Sequence, residues 1–366
     1  MHDTLHLVVS ISGHGFGHVA QTAPVLNLLH ERMPLRITLR SAVPLAHLRS
    51  RIHAPFAYLP SEGDIGMAMA SAVDVLAGES RAAYRTFHAD WQARVANEAD
   101  LLRKLGADMV LSNVSYLALA GAQLAGIPNA ALCSLNWADI YRCYCCAPST
   151  ESGQTADGII AAQIQTCYAN ADAFLRIEPG LEMGYLPNLI PVAPIADIGN
   201  NRRDELDHHL RLAKDEKLVL VSMGGIAGRL PLERWPRMDG VRWLVQKNWQ
   251  ADHPDAIAIE SLPLDFSDLL ASSSALICKP GYGSFVEAAC SGVPVLYVSR
   301  DDWPETPALS RWLRQYGVCR EISRLALERG ELAAALDAIW NTPPPPPPVP
   351  QGAAQAADWL MRKLNG

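Results

Sequence analysis

The stretch from Leu5 to Leu29, LHLVVSISGHGFGHVAQTAPVLNLL, constrains the fold more than any other part of the chain. Its apolar run to Ile11, with β-branched Val8, Val9 and Ile11, reads as a buried strand; Gly13, Gly15 and Gly17 punctuate it, and a helical pattern follows. Three glycines in five residues let the backbone turn tightly and leave room for a ligand against the N–H groups that open the helix, where anions bind well. His14 and His18 flank the glycines and add two groups that exchange protons near neutral pH. The same residues also suit a plain strand-to-helix corner with two solvent-facing histidines.

The alternation continues. Strands are predicted at Arg36 to Arg40, Phe56 to Leu59, Asp108 to Leu111, Pro128 to Cys133 and Phe174 to Ile177, separated by helical patterns, which is the order that builds a parallel sheet. Tyr84 to Leu105 reads as one long helix, with Arg81, Arg85 and Arg94 on a solvated face. Between strands, Gly63 to Gly78 is small, apolar and rich in Met and Ala; it fits a flap or ordinary packing. Polar residues just after a strand lie at the carboxyl edge of a sheet, where open α/β folds bind ligands. Ser112, Asn113 and Ser115 are candidates on that ground, as are Asn136, Trp137 and Asp139.

At 366 residues the chain is too long for one typical core, so two domains are expected. Pro187 to Asp204, with three prolines, a glycine and an Asn pair, marks the boundary; the division is 1–190, a linker at 191–204, a second domain at 205–342, a polyproline spacer at 343–350 and a final helix within 351–366. A second strand, Leu218 to Met223, closes on Gly224, Gly225 and Gly228 and repeats the opening unit. Two such turns on facing domains would make a cleft with a positive helix end on either side. Lys279 to Leu309, KPGYGSFVEAACSGVPVLYVSRDDWPETPAL, adds a third glycine entry at Gly281 and Gly283. Here Ser284 is expected to cap a helix whose first turn holds Glu287, placed either to accept hydrogen bonds from ribose hydroxyls or to complement the helix dipole.

Composition excludes several classes. A net charge of −7 argues against a protein that coats nucleic acid, and leaves phosphates to backbone amides and helix ends. The opening MHDTLHLVVS lacks a secretory pattern and no apolar run reaches membrane-spanning length, so a cytoplasmic protein with eight reduced cysteines is expected. Cys143, Cys145 and Cys146 cluster without zinc-knuckle spacing, so no metal is expected.

SGHGFGHVAQ, VLSNVSYLALAGAQLAGIP, SLNWADIY, LVSMGG and ICKPGYGSFVEAACSGVPVLYVSRDDWPE fall in order along nearly the whole chain. With these pieces it resembles glycosyltransferases of the GT-B architecture: α/β, two Rossmann-like domains facing across a cleft. It is most similar to the glycosyltransferase-like domain of L-arabinokinases and their stand-alone bacterial relatives, and its C-terminal half to the lipid-linked N-acetylglucosaminyltransferases of peptidoglycan synthesis. The arabinokinase kinase module has no counterpart here, so no sugar-kinase activity is implied. The resemblance implies that Gly15 and Gly17 approach a donor diphosphate, with His18 as base or phosphate contact. It further implies that Gly224 and Gly225 lie under the phosphates, that Gly281, Gly283 and Ser284 line the nucleotide, and that Glu287 holds the ribose. Asp301, Asp302 and Glu305 fall where donor sugar hydroxyls are held; His14, Ser112, Asn113, Asn136, Trp137 and Asp139 fall on the acceptor side. One departure is Gln21, where related domains are expected to carry an arginine. The expectation is metal-independent sugar transfer from a nucleoside diphosphate sugar, UDP first, to an acceptor hydroxyl, with no cofactor, no nucleic acid and an open question of peripheral membrane contact. The alternatives are a nucleotide-sugar binding module without turnover and an NADP-dependent oxidoreductase, the latter drawn from the glycine turn and Arg40.

Overall fold

In the computed structural model residues 4–61, 63–146, 155–225, 229–298 and 300–366 are described. The chain divides into two units: Met1–Ala70, Asp74–Ile195 and Gln351–Gly366 form the first, and Ser71–Val73 with Ala196–Pro350 the second.

The first unit is built on seven parallel strands: β1 (His6–Ile11), β2 (Arg36–Ser41), β3 (Ala57–Pro60), β4 (Met109–Asn113), β5 (Asn129–Cys133), β6 (Ala173–Ile177) and β7 (Leu189–Val192). Their order is β3-β2-β1-β4-β5-β6-β7. Every residue of β1, β4 and β5 is buried, as expected of strands covered by helices on both faces. The chain leaves β1 toward β2 on one side and returns to β4 on the other, which opens a crevice at the carboxyl ends of β1 and β4. The second unit repeats the plan with β8 (Lys217–Ser222), β9 (Val241–Val245), β10 (Ala256–Ala258), β11 (Ala275–Cys278), β12 (Val295–Val298) and β13 (Cys319–Ile322), in the order β10-β9-β8-β11-β12-β13. Its switch point lies between β8 and β11. Gly228 of the expected second turn lies outside the described residues.

Four sequence expectations are corrected. The long helix is two, Ala77–Ala89 and Trp91–Leu105, broken at Asp90, where φ −111° and ψ 36° leave the helical region. Asp is a weak helix former because its side chain competes for backbone groups. The arginines around it are not simply solvated: Arg85 makes a two-pronged pair with Asp157 at 2.9 and 2.7 Å, Arg81 donates to the Cys145 carbonyl at 2.9 Å, and Arg94 lies 4.5 Å from the Phe87 ring centre. The Pro-rich stretch contains a strand, β7. Its Pro191 is tolerated because β7 is the edge of the sheet, where one row of N–H groups needs no partner. Lastly, the helix Tyr282–Cys290 has Gly281 at its N-cap and no side-chain cap, so Ser284 lies in the first turn without capping it, and Glu287, its sixth residue, falls in the second turn.

The last helix, Gly352–Leu364, packs back on the first unit. Gln355 accepts from the Ala193 N–H at 2.7 Å, and the approach is so close at Gly352 that a Cβ there would sit 1.9 Å from the Ala193 carbonyl oxygen. Among the described residues no helix is long and apolar enough to cross a membrane, and no group of three or more His, Cys, Asp or Glu is arranged to hold a metal ion.

Candidate functional site

The strand ends of the first unit carry the opening glycine turn. Gly13 is required by packing, since a Cβ there would sit 2.9 Å from the Ala42 Cβ; Gly15 is required by its φ of +83°. Around Gly15 and Gly17 the space where a Cβ would go is open to 4 Å. The helix Gly17–Arg32 then begins with no side-chain cap and no acidic residue in its first turn, so its positive end suits an anion. Phe16 stacks on His47 with ring centres 3.7 Å apart, and burial followed by the charge of Arg51 holds that imidazole down to about 4, so it is neutral at physiological pH.

His18 is the buried histidine of the pair, at 6% exposure. Its Nδ1 lies 2.8 Å from Asn113 Oδ1 at the end of β4; Asn113 Nδ2 donates to Gln21 Oε1 at 3.1 Å, and Gln21 Nε2 donates to Ser134 Oγ at 2.7 Å. With the amides oriented this way, Nδ1 of neutral His18 carries the proton and Nε2 the lone pair. Gln21 is thus a link in a buried chain that turns His18, rather than a neutral gap beside a phosphate. An arginine in its place would bring a charge into that chain.

Trp137, fully buried at the start of the helix Trp137–Cys145, joins the two histidines: its ring meets His14 edge-on at 5.2 Å and His18 at 5.9 Å. Its indole N–H donates to Asp64 Oδ2 at 2.8 Å, and Ser12 Oγ donates to Asp64 Oδ1 at 3.1 Å. Burial pushes the Asp64 carboxyl up to about 6, against the pull of those two hydrogen bonds and a third from the Gly13 backbone. Asp64 was missed from the sequence because it lies in the Met/Ala-rich stretch; an aspartate between Gly63 and Gly66 in otherwise apolar surroundings is the signal that marks it.

The other acceptor-side candidates make hydrogen bonds within the same unit. Ser112 donates to the Ser115 carbonyl at 2.7 Å. Asn136 caps its helix by accepting from the Asp139 N–H at 2.9 Å, and Asp139 takes hydrogen bonds from Asn136 Nδ2 at 2.8 Å and from the Tyr185 hydroxyl at 2.7 Å. His14, His18, Asn113 and Trp137 are brought together; Ser112, Asn136 and Asp139 shape the turns around them.

In the second unit the ends of β8, β11 and β12 converge. Gly224 has φ +78°, and a Cβ on it would lie 3.3 Å from Lys279 Cε. Burial, then the charge of Arg300, pulls the Lys279 amine down to about 8, with Glu305 pushing back. Arg300 is itself buried, its guanidinium 4.2 Å from the Trp303 ring centre, and the Trp303 indole N–H donates to Glu305 Oε2 at 3.4 Å. Beside them the helix Tyr282–Cys290 starts uncapped at Gly281, with Gly283 and Ser284 in its first turn. Glu287 is 3% exposed, Glu305 is buried, and Asp301 and Asp302 are exposed. Lys279 and Arg300 add two buried cationic side chains beside these glycines and helix ends. Arg40, which an NADP site would need, is buried in an ion pair with Glu98.

No protein-family model matches the chain. The L-arabinokinase of Arabidopsis thaliana is 25% identical over 375 residues, an alignment that takes in 99% of this chain and 35% of the arabinokinase. The chain therefore spans about a third of the length of the curated relative it matches. Among solved structures, the calicheamicin glycosyltransferase CalG4 superposes with a TM-score of 0.63 at 14% identity, covering 99% of both chains. The fold is that of the GT-B glycosyltransferases. Phytolacca americana UGT2, solved with UDP-2-fluoro-glucose and pterostilbene, gives a TM-score of 0.55 at 14% identity over 99% of this chain and 94% of its own. At these identities the likeness establishes the two-unit α/β architecture and leaves the chemistry to the residues.

Proposed function

We propose that the protein is a glycosyltransferase that moves a sugar from a nucleoside diphosphate to an acceptor hydroxyl. The observation that carries this reading is His18: a buried imidazole at a topological switch point, one nitrogen fixed by Asn113 so that the other is the base. In the proposed step the acceptor O–H gives its proton to His18 Nε2, the acceptor oxygen bonds to the anomeric carbon, and the bond from that carbon to the diphosphate oxygen breaks. The leaving diphosphate gains negative charge, which the uncapped helix start at Tyr282 and the cations Lys279 and Arg300 offset. Gly224 and Gly225 let the backbone come close to the phosphates; Gly281, Gly283 and Ser284 line the nucleotide, and Glu287 takes the ribose hydroxyls. Asp301, Asp302 and Glu305 hold the sugar, and His14 with Trp137 faces the acceptor. UGT2 with its UDP-fluorosugar supports uridine as the nucleoside of the donor. The arabinokinase likeness supports placing the chain with the glycosyltransferase-like domains of those proteins, and the KPGYG stretch keeps the lipid-linked N-acetylglucosaminyltransferases as the next comparison.

Incubation of the purified protein with UDP-, GDP- and dTDP-sugars, followed by chromatography of released nucleotide, tests the reading. Slow release of one nucleoside diphosphate is expected. Binding without release across the panel makes the protein a binding module instead, and tight NADP binding overturns both.

A further inference from the structure

Asp64 is the charged side chain that ties the histidine site together without being one of its expected members. It lies on the strap of residues 63–67, which crosses the ends of β1 and β4. At one end Ser115 Oγ donates to the Gly63 carbonyl at 2.6 Å. At the other, Gly66, with φ +61°, presses on His14 so closely that a Cβ would lie 2.8 Å from its Nδ1, and the Met67 N–H points at the same nitrogen from 3.4 Å. Between these points Asp64 accepts from Ser12, the last residue before the glycine turn, and from Trp137, whose ring touches both histidines. His14 is held on one side by the strap and on another by the indole, and both of those parts are fastened to one carboxyl.

We propose that Asp64 is the positioning residue of the histidine pair, fixing through Trp137 and the strap where His14 and His18 present their rings to the acceptor. The assignment to an acceptor rests on the transferase reading; the hold on Trp137 and the strap does not. Ionisation of the carboxyl converts the Trp137 N–H···O contact into a charge-assisted bond, which is shorter and stronger than its neutral form. The other titratable groups facing Asp64 are His14 and His18 across the indole and the hydroxyls of Tyr84, Tyr116 and Tyr168; burial raises all three tyrosines well above 10, so they stay neutral while Asp64 titrates. The Trp137 contact therefore changes character as the carboxyl ionises near pH 6.

The test uses the full chain labelled with 15N-tryptophan, as wild type, Asp64→Asn and Trp137→Phe; the last assigns the Trp137 signal. Asparagine keeps the shape and an acceptor for the indole but cannot ionise. In the wild type the Trp137 indole N–H should titrate with a midpoint near 6. In Asp64→Asn that step should vanish while the other tryptophan signals keep their folded positions. Nucleotide release by Asp64→Asn should fall roughly ten-fold, since a modest misplacement of reacting groups costs at least this much, and its pH profile should lose the step near 6. A Trp137 signal that is flat from pH 5 to 8 in the wild type overturns the proposal, as does a pH profile of Asp64→Asn that superimposes on the wild type. Absence of nucleotide release by the wild type with the Trp137 titration intact removes the transferase reading and upholds the hold of Asp64 on the indole.

Discussion

Replacing Asn113 by leucine probes the buried chain that orients His18. Asn113 is fully buried and makes two side-chain hydrogen bonds, to His18 Nδ1 at 2.8 Å and to Gln21 Oε1 at 3.1 Å. Leucine is close in volume but offers neither, so the imidazole N–H keeps only the weaker contact with Cys133 Sγ at 3.8 Å and the Gln21 amide oxygen loses its Asn113 donor. Each costs about 1–3 kcal/mol, giving a loss of roughly 2–6 kcal/mol in the first unit. Ser134 still holds the other end of Gln21, which favours the lower half of that range. Because a chain of two units need not unfold in one step, the loss is best read by native-state hydrogen exchange in β1, β4 and the helix Gly17–Arg32. Pairing the change with Gln21→Leu, which removes that amide oxygen, should recover about 1 kcal/mol relative to the sum of the single losses. Nucleotide release should fall at least 100-fold, because the His18 tautomer is no longer fixed. Protection in Asn113→Leu within about 0.5 kcal/mol of wild type, with additive behaviour in the pair, would refute the reasoning.

Two further predictions rest on titration and charge. Lys279→Met should weaken nucleotide binding by about ten-fold or more and flatten its dependence on salt, as measured by calorimetry; in the wild type the affinity should fall above pH 8, where the Lys279 amine loses its proton. Asp64 has a folded pKa near 6, above its unfolded value of about 3.9, so the folded state binds the extra proton between those limits. Its contribution to stability is therefore greatest below about pH 4 and declines as pH rises to 6, by about 1–3 kcal/mol after allowance for partial exposure. The difference in unfolding free energy between wild type and Asp64→Asn isolates this term from Asp157 and Asp255, whose depressed pKa values give the opposite trend at lower pH. A difference that is flat between pH 4 and 7 counts against the burial of Asp64.

Much of the architecture was legible because it is written in local pattern. The runs at β1, β8 and β11 are dominated by apolar residues, as buried parallel strands are, and Gly126 ends the helix Tyr116–Ala125 in the left-handed conformation that glycine favours. Local pattern failed where tertiary contact decides. Asp90 breaks a periodicity that runs through it; β7 hides behind Pro191 because only its position at the sheet edge makes the proline tolerable. At the candidate site, the sequence pointed to the glycine turns, His14, His18, Asn113 and Trp137. It did not point to Asp64, Arg300 or the hydrogen-bonding role of Gln21. The first two gain their meaning from strand ends that are far apart in sequence, and Gln21 gains its meaning from Asn113 and Ser134, which are 92 and 113 residues away.

The most direct test of the central claim compares wild type and His18→Ala with the best nucleotide sugar, measuring affinity and nucleotide release side by side. If His18 is the base and the second unit holds the donor, the two proteins should bind the nucleotide within about two-fold of each other while release falls at least 100-fold in the variant, the range expected for loss of a general base. Equal release by both proteins contradicts the account.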